Sequence, residues 1–330
     1  MNNKSINFKS FTQIMLSNLK ERLGEDYTVF AHTVKKNNGI ELTGVVISRT
    51  GCNTSPTFYI DSIYHRGITE DEIKKEAKRI YEQFQKSEVK EDLDFSDFLD
   101  YQKMKEKIAV KLVNAEKNRE LLEMVPHKLF YDLALVVYYP VQEAPFEGKA
   151  SILIYETHRE QWGVNEEELL KDAIQNTPRM FPGKIESMNH VMKEIFSSEL
   201  GKSLDEEELR RLGIDGEELE EILILAGRKS GQHQTTMYVL SNRQKLYGAV
   251  CMLYPNILKN FADKIGQDLY ILPSSIHEVI LVPVNTASGG DELREIVTDI
   301  NRTQVAEEEV LADNIYYYNR MTDDILMLSK

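Results

Sequence analysis

The chain has 330 residues, of which 42% are hydrophobic and 28% are charged, and its 54 acidic and 40 basic side chains give a net charge of −14 at pH 7. This composition is typical of a globular protein with two or three compact units, and it excludes collagen-like, disordered and disulfide-scaffold classes. The acidic balance disfavours a protein that grips nucleic-acid phosphates, because that task needs clustered Lys and Arg.

The two cysteines, Cys52 and Cys251, fit neither a disulfide framework nor a zinc site built from paired short spacings. The N-terminal residues lack the apolar core and the cleavage site of a signal peptide. The most apolar stretches are far shorter than the roughly 20 residues that cross a bilayer. We therefore expect a cytoplasmic protein with reduced thiols and no membrane segment.

The first third of the chain predicts a helix, a hairpin and a second helix. Apolar residues at intervals of three and four predict a helix over residues 8–23. Two β-rich runs, 27–34 and 40–48, flank a turn rich in Asn and Gly and predict a β-hairpin. Thr69, followed three residues later by Glu72, matches a capping box and predicts the start of the second helix.

This hairpin-and-helix pattern returns 96 residues later, where Gly163–Ala173 aligns with Gly67–Ala77. Both copies follow a pair of apolar runs, and in the second copy these runs are 129–139 and 150–155. The match predicts a structural repeat. Because capping boxes are common, a chance match is the alternative.

A third, weaker copy consists of a predicted strand pair, 236–242 and 247–253, followed by Pro255 at a possible first helical position. The fold class predicted from these copies is α+β, with mainly antiparallel sheets and inserted helices. Each hairpin-and-helix unit is assigned one segment of the chain. The predicted segments are residues 1–100, 101–200 and 201–330.

Two helices are predicted between the second and third units, one over residues 188–196 and one acidic stretch over residues 204–225. The acidic stretch is typical of a solvated helical face, with a contact surface for a basic partner as the alternative. The last part of the chain predicts two short strands within residues 268–283, separated by a Pro-Ser-Ser turn, and a helix over 290–302, in which Asp291 caps the first turn. A closing strand pair is predicted at residues 314–319 and 324–328.

Three segments carry a family resemblance: NAEKNRELLEMVPHKLFYDLAL from Asn114, ILPSSIHEVILVP from Ile271 and INRTQVAEEEVLADNIYYYNR from Ile300. Through them the chain resembles, over most of its length, an uncharacterised family of proteins from gut clostridia. The C-terminal third also resembles the uncharacterised YtpQ family of bacilli, through the Pro-Ser-Ser-Ile-His-Glu block. The resemblance implies a bacterial, cytoplasmic protein, and it supplies no catalytic residue.

The polar residues between the two apolar strands predicted within residues 268–283 include the catalytic candidates, Ser275, His277 and Glu278. A Ser and a His can act as nucleophile and base. The alternative is a turn in which Ser side chains bond to the backbone. His277-Glu278 also begins like the metalloprotease motif HExxH, but Leu281 stands in place of the second His.

The seven histidines contain no pair at i, i+2 or i, i+4, so their spacing predicts no metal site, and no cofactor is expected. The alternative is that scattered histidines converge on a metal in three dimensions. His65 and His158 precede the two capped helices. We expect partly buried side chains bonded to backbone carbonyls, with a functional role as the alternative. Trp162 is expected to pack the turn before its helix, with an exposed recognition role as the alternative.

Three consecutive tyrosines lie at residues 316–318, in the first closing strand. Alternation along a strand predicts that one faces the core and two face solvent. The candidate binding surface therefore combines tyrosines with acidic side chains. Its predicted members are Glu217, Glu218, Glu220, Glu221, Tyr316 and Tyr318.

These patterns favour a non-catalytic protein that binds another macromolecule, expected to be a protein and not nucleic acid or a membrane, because no catalytic motif is complete. One alternative is a hydrolase that uses Ser275, His277 and Glu278. A second alternative is an acidic inhibitor that mimics nucleic acid.

Overall fold

The computed structural model of the chain describes residues 6–88, 94–141, 150–192, 194, 236–273, 275–286 and 289–328. They form two compact units whose segments alternate along the chain. The first unit comprises Met1–Ala109, Lys117–His127 and Val136–Ala173, and the second comprises Val110–Glu116, Lys128–Leu135 and Ile174–Lys330. Residues far apart in the chain pair within the second unit, as Asn114 Nδ2 and Leu311 O do at 2.9 Å. The three consecutive segments predicted above stay a prediction.

The helices and strands follow the predicted order over most of the described chain. The helices are α1 (Phe8–Leu23), α2 (Glu70–Ser87), α3 (Tyr101–Met104), α4 (Arg119–Leu122), α5 (Glu156–Trp162), α6 (Glu166–Met180), α7 (Ile257–Ile265) and α8 (Gly290–Thr303). The strands are β1 (Tyr27–Lys35), β2 (Glu41–Arg49), β3 (Thr57–Tyr59), β4 (Ala109–Asn114), β5 (His127–Phe130), β6 (Leu133–Val141), β7 (Ala150–Leu153), β8 (Gly183–Ser187), β9 (Tyr238–Asn242), β10 (Leu269–Leu272), β11 (Val279–Pro283), β12 (Ile315–Asn319) and β13 (Asp324–Leu328).

The strands of the described residues form three sheets. Their orders are β1-β2-β3, then β4-β6-β5 with β7 beside β6, and β13-β12-β10-β11-β9-β8. The first and last sheets are antiparallel throughout, and β6 also pairs antiparallel with β7. The α+β fold class is therefore confirmed. Among the described residues, no helix combines the length and the apolar character that a membrane crossing requires.

The core of the first unit forms between helices α1 and α2 and the β1-β2-β3 sheet. Phe11 and Met15 of α1 and Ile73 and Phe84 of α2 are buried in one apolar cluster with strand residues. The predicted capping box of α2 is present, since Thr69 and Glu72 each accept a hydrogen bond from the other's backbone N–H. The predicted hairpin and the predicted start of α2 are thus confirmed, whereas the structural repeat stays a prediction.

The second and third predicted copies depart from this pattern. In the second, β6 pairs with β7, but α5 separates the strands from α6, whose first turn is capped by Asn165 Oδ1 accepting from Glu168 N at 2.8 Å. In the third, the predicted strand 247–253 is wrong, because Gly248–Leu253 forms a 3-10 helix after Tyr247, which has φ 54°. Pro255 lies before the N-cap of α7 and not at its first position.

The third copy is not a hairpin because the chain packs tightly at Gly248. A Cβ atom there would lie 2.6 Å from both Asn242 N and His277 O, and 2.2 Å from Ser241 Oγ. The run after it is buried, as Ala249, Val250 and Met252 are in the core. An apolar run of six residues is compatible with either a strand or a short helix, and contact with β9 decides between them here.

The core of the second unit lies between α8 and the six-stranded sheet. Leu293 and Val297 of α8 pack with Leu272, Val282 and Ile315 of the sheet. Residues 188–192 and 194 are helical, which confirms part of the predicted helix after β8. The rest of that helix and the acidic stretch 204–225 lie outside the described residues.

Candidate functional site

The turn between β10 and β11 holds Ser275 in a structural position. Ser275 is 5% exposed, and its Oγ accepts a hydrogen bond of 3.1 Å from the backbone N–H of His277. Its backbone also forms an isolated β-bridge with Val310. Ser275 therefore stabilises the turn, as the structural alternative predicted.

The ring of His277 faces groups other than Ser275 Oγ. Its Nδ1 accepts a hydrogen bond of 3.2 Å from the backbone N–H of Tyr247, and the two rings stack with a tilt of 10°. Nδ1 as acceptor places the proton of the neutral ring on Nε2, which lies 3.5 Å from Glu309 Oε1. The structure thus does not form the Ser275–His277 pair that the hydrolase hypothesis requires.

Glu278 is the third catalytic candidate, and its carboxyl group is largely buried. Burial raises the pKa of this carboxyl above its ordinary value, and the charge of Glu309 acts in the same direction, while His277 and Lys245 oppose the shift. Burial alone produces such a shift, so the raised pKa does not by itself indicate acid-base chemistry.

The predicted exposure of Tyr316 and Tyr318 is wrong. The two residues are 0% and 1% exposed, and it is Tyr317 between them that is partly exposed. Tyr316 donates its hydroxyl hydrogen bond to Asp132, and Tyr318 donates to Asp323. The face of β12 that carries them is therefore part of the core and cannot form a binding surface.

The other members of the candidate surface are not described by the structure. Glu217, Glu218, Glu220 and Glu221 lie outside the described residues. Their role as a contact surface for a basic partner stays a prediction.

The remaining aromatic and histidine candidates occupy structural positions in the first unit. Trp162 Nε1 donates a hydrogen bond of 2.7 Å to Phe98 O, which confirms its packing role. His158 Nδ1 accepts from Tyr155 N at 3.1 Å, and burial lowers the pKa of the His158 ring. His65 is exposed in the turn before α2, so the expected partial burial is confirmed for His158 and is wrong for His65.

A groove along α8 is the feature that sequence reasoning missed. It has a volume of about 800 Å³, and one wall is the polar face of α8 opposite the buried Leu293 and Val297. Its charged lining consists of Asp291, Glu295, Asp299, Asp313, Arg294 and Arg302. The sequence contains one signal for this groove. Charged residues recur at intervals of three and four along the predicted helix, and residues at these intervals share a helical face.

The basic groups of the groove are neutralised by local partners. Arg294 donates to Asp291 Oδ1 at 3.2 Å and to Leu328 O at 2.7 Å. Arg302 donates to Asp299 Oδ1 at 2.8 Å. Asp291 binds Arg294, so the prediction that Asp291 caps the helix is wrong. No side chain caps the N-cap residue Gly289.

The groove carries two more carboxylates than guanidinium groups. Glu295 makes no ion pair within the part of the chain that the structure describes. Asp313 accepts a hydrogen bond of 2.8 Å from the amide of Asn301. Because this amide is neutral, the bond does not compensate the negative charge of Asp313. The groove is thus an acidic concave surface on the second unit.

Comparison with known proteins places the chain among uncharacterised sequences. A model of a family of unknown function, DUF5688, matches residues 8–320. No curated protein and no solved structure matches the chain. The expected origin in gut clostridia and the similarity to the YtpQ family stay predictions.

Proposed function

We propose that this chain, which belongs to the DUF5688 family of unknown function, is a non-catalytic protein that binds a basic segment of another protein in the α8 groove. The observation that carries the proposal is the acidic excess of a concave surface whose arginines are already paired. We place the protein in the cytoplasm and in a bacterium as part of the same proposal.

The size and charge of the groove favour a peptide segment of a partner. Its volume of about 800 Å³ accommodates several side chains, and concave sites of this size bury most of a bound group. Lys or Arg side chains of a partner would pair with Glu295 and Asp313 without displacing an existing ion pair. Nucleic acid fits poorly, because its phosphates would face the excess carboxylates.

The net charge of −14 supports the same class of partner, because it attracts basic proteins over distances longer than a contact. The hydrolase alternative loses its nucleophile–base pair in this structure. The nucleic-acid mimic depends on Glu217 to Glu221, which lie outside the described residues, and it stays a prediction.

The test uses the full chain and labelled peptides of equal length that are rich in Lys and Arg, in Asp and Glu, or in neutral polar residues. We expect the basic peptides alone to bind, measured by fluorescence anisotropy, and binding to weaken with added salt because the contacts are exposed. The double substitution Glu295→Lys and Asp299→Lys should weaken binding at least about tenfold, or ~1.4 kcal/mol.

The matched control is Asp71→Lys in α2, because Asp71 pairs with Lys74 at i, i+3 just as Asp299 pairs with Arg302. This variant changes the net charge at an exposed residue of the first unit and should leave peptide affinity almost unchanged. Basic peptides that fail to bind, or that lose affinity equally with Asp71→Lys, would contradict the proposal.

A further inference from the structure

A group of metal-ligating side chains lies where β8 runs into the following helix. Glu186 is in β8, and His190 and Glu194 follow it at intervals of four residues. Residues 188–192 and 194 are helical, so His190 and Glu194 lie one above the other on one face. Glu186, near the end of β8, lies beside this face, next to His190.

The distances within this group suit a metal ion better than they suit direct hydrogen bonds. His190 Nε2 lies 3.4 Å from Glu186 Oε1 and 3.4 Å from Glu194 Oε1. All three ligand atoms lie within 4.8 Å of one another. Charge-assisted N–H···O bonds are shorter, at about 2.7–2.9 Å. A tetrahedral ion with bonds of about 2.1 Å separates its ligand atoms by roughly 3.4 Å.

We propose that Glu186, His190 and Glu194 bind a divalent transition-metal ion, with Zn²⁺ as the best-fitting probe. One imidazole and two carboxylates form a ligand set that Zn²⁺ accepts, and the two negative charges balance its charge. The His190 and Glu194 side chains are 57% and 44% exposed, so an ion can enter from solvent. The fourth coordination position would take water.

Two lysines flank the proposed site and set its affinity. Lys245 Nζ lies 3.1 Å from Glu194 Oε2, which is not the oxygen that faces His190. Lys184 Nζ lies 2.6 Å from Glu186 Oε1, the proposed ligand atom itself. Lys184 is half exposed and can swing into solvent, so metal binding exchanges the lysine for the ion at Glu186.

The experiment is a titration of the full chain with Zn²⁺ alone by isothermal calorimetry, with Co²⁺ as a spectroscopic substitute that reports tetrahedral coordination. We expect one ion per chain. His190→Ala and Glu194→Gln should each weaken binding at least about tenfold, since even residues behind a metal's ligands contribute 10–100-fold to affinity. Lys184→Met should tighten binding severalfold, because it removes a competing cation.

The matched control is His65→Ala, an exposed histidine in the first unit. It should bind Zn²⁺ like the unaltered protein. His190 and Glu194 are exposed, so both variants should keep their fold, which circular dichroism verifies. The proposal is overturned if the unaltered protein does not bind Zn²⁺, if His190→Ala binds equally well, or if His65→Ala loses the same affinity.

Discussion

In the segment from β1 to α2, the hairpin turn and the helix cap are formed by residues close in the chain, whereas in the segment from β9 to α7 the turn after β9 is held by residues far apart. In the first segment, Lys35 pairs with Glu41 across a short turn, and Thr69 and Glu72 cap α2. In the second, Tyr247 N donates to His277 Nδ1, 30 residues away, and Ser241 Oγ donates to His277 O, 36 residues away.

This difference shows which parts of the fold form from hydrogen bonds between neighbouring residues alone. A capping box or a hairpin turn contains both partners of each bond, so it acts wherever its residues occur. The turn after β9 depends on the β10–β11 turn, which supplies His277 from outside the segment. Four substitutions test bonds between neighbouring residues against contacts between distant residues. They follow in order of their expected effect on the free energy of unfolding.

Gly248→Ala should have the largest effect. Its Cβ would lie 2.6 Å from backbone atoms of Asn242 and His277, which cannot rotate away. We expect a loss of at least about 3 kcal/mol in urea unfolding, at the upper end of overpacking costs. The control is Gly51→Ala, where φ is 84° and nothing lies within 4 Å of the added Cβ, so only ~1–2 kcal/mol of backbone strain is expected. Equal losses would show that close packing is unimportant at Gly248.

Tyr316→Phe should have the next largest effect, because it removes a buried hydrogen bond to Asp132. Asp132 would keep its bond of 2.9 Å from Asn314 Nδ2 but would lose the hydroxyl donor at its other oxygen. We expect a loss of about 1–3 kcal/mol. Tyr317→Phe, at a more exposed hydroxyl bonded to Asp268, should cost about 1 kcal/mol or less. The reverse ranking would contradict the burial argument.

Thr69→Ala tests the local kind of support. It removes the side-chain half of the capping box at α2 and should cost about 1 kcal/mol in chemical denaturation. Thr69→Ser keeps the hydroxyl group and should restore most of that stability. If Thr69→Ser loses as much stability as Thr69→Ala, the effect comes from the methyl group and not from the cap.

Glu278→Gln should have the smallest effect, visible as a change in pH dependence. Burial raises the pKa of Glu278 in the folded protein above the ordinary value of 4.5. The folded state therefore binds the Glu278 proton more tightly than the unfolded state does. The stability that this proton contributes is fully present below pH 4.5 and is lost as pH rises through the pKa of the folded state. Unfolding measured as pH rises from about 4 should show a shallower loss of stability for Glu278→Gln than for the unaltered protein. An unchanged slope would contradict the burial-driven shift.

Local patterns in the sequence were sufficient for most helices and strands. Helices α1, α2 and α8 and the strand pairs β1–β2, β10–β11 and β12–β13 were predicted close to their observed bounds. Each has an amphipathic period or a turn whose residues are adjacent, so the information lies within the segment itself. The α+β class followed from the same elements.

Tertiary contacts decided what the sequence left open. Phe130 stacks on Tyr316, and Asp132 accepts its hydroxyl, so β12 buries the face that alternation alone assigned to solvent. The group of Glu186, His190 and Glu194 leaves no signal in the spacing of the histidines alone, because His190 lies between two glutamates, at i−4 and i+4.

The sequence by itself thus determined the individual elements, their caps and the acidic character of the protein, because these properties depend on neighbouring residues and on composition. Only the tertiary structure decided that Ser275 holds a turn, that His277 faces Tyr247 and Glu309, and that α8 forms one wall of an acidic groove. The physical reason is that burial and hydrogen-bond partners come from segments distant in the chain, which no local pattern encodes.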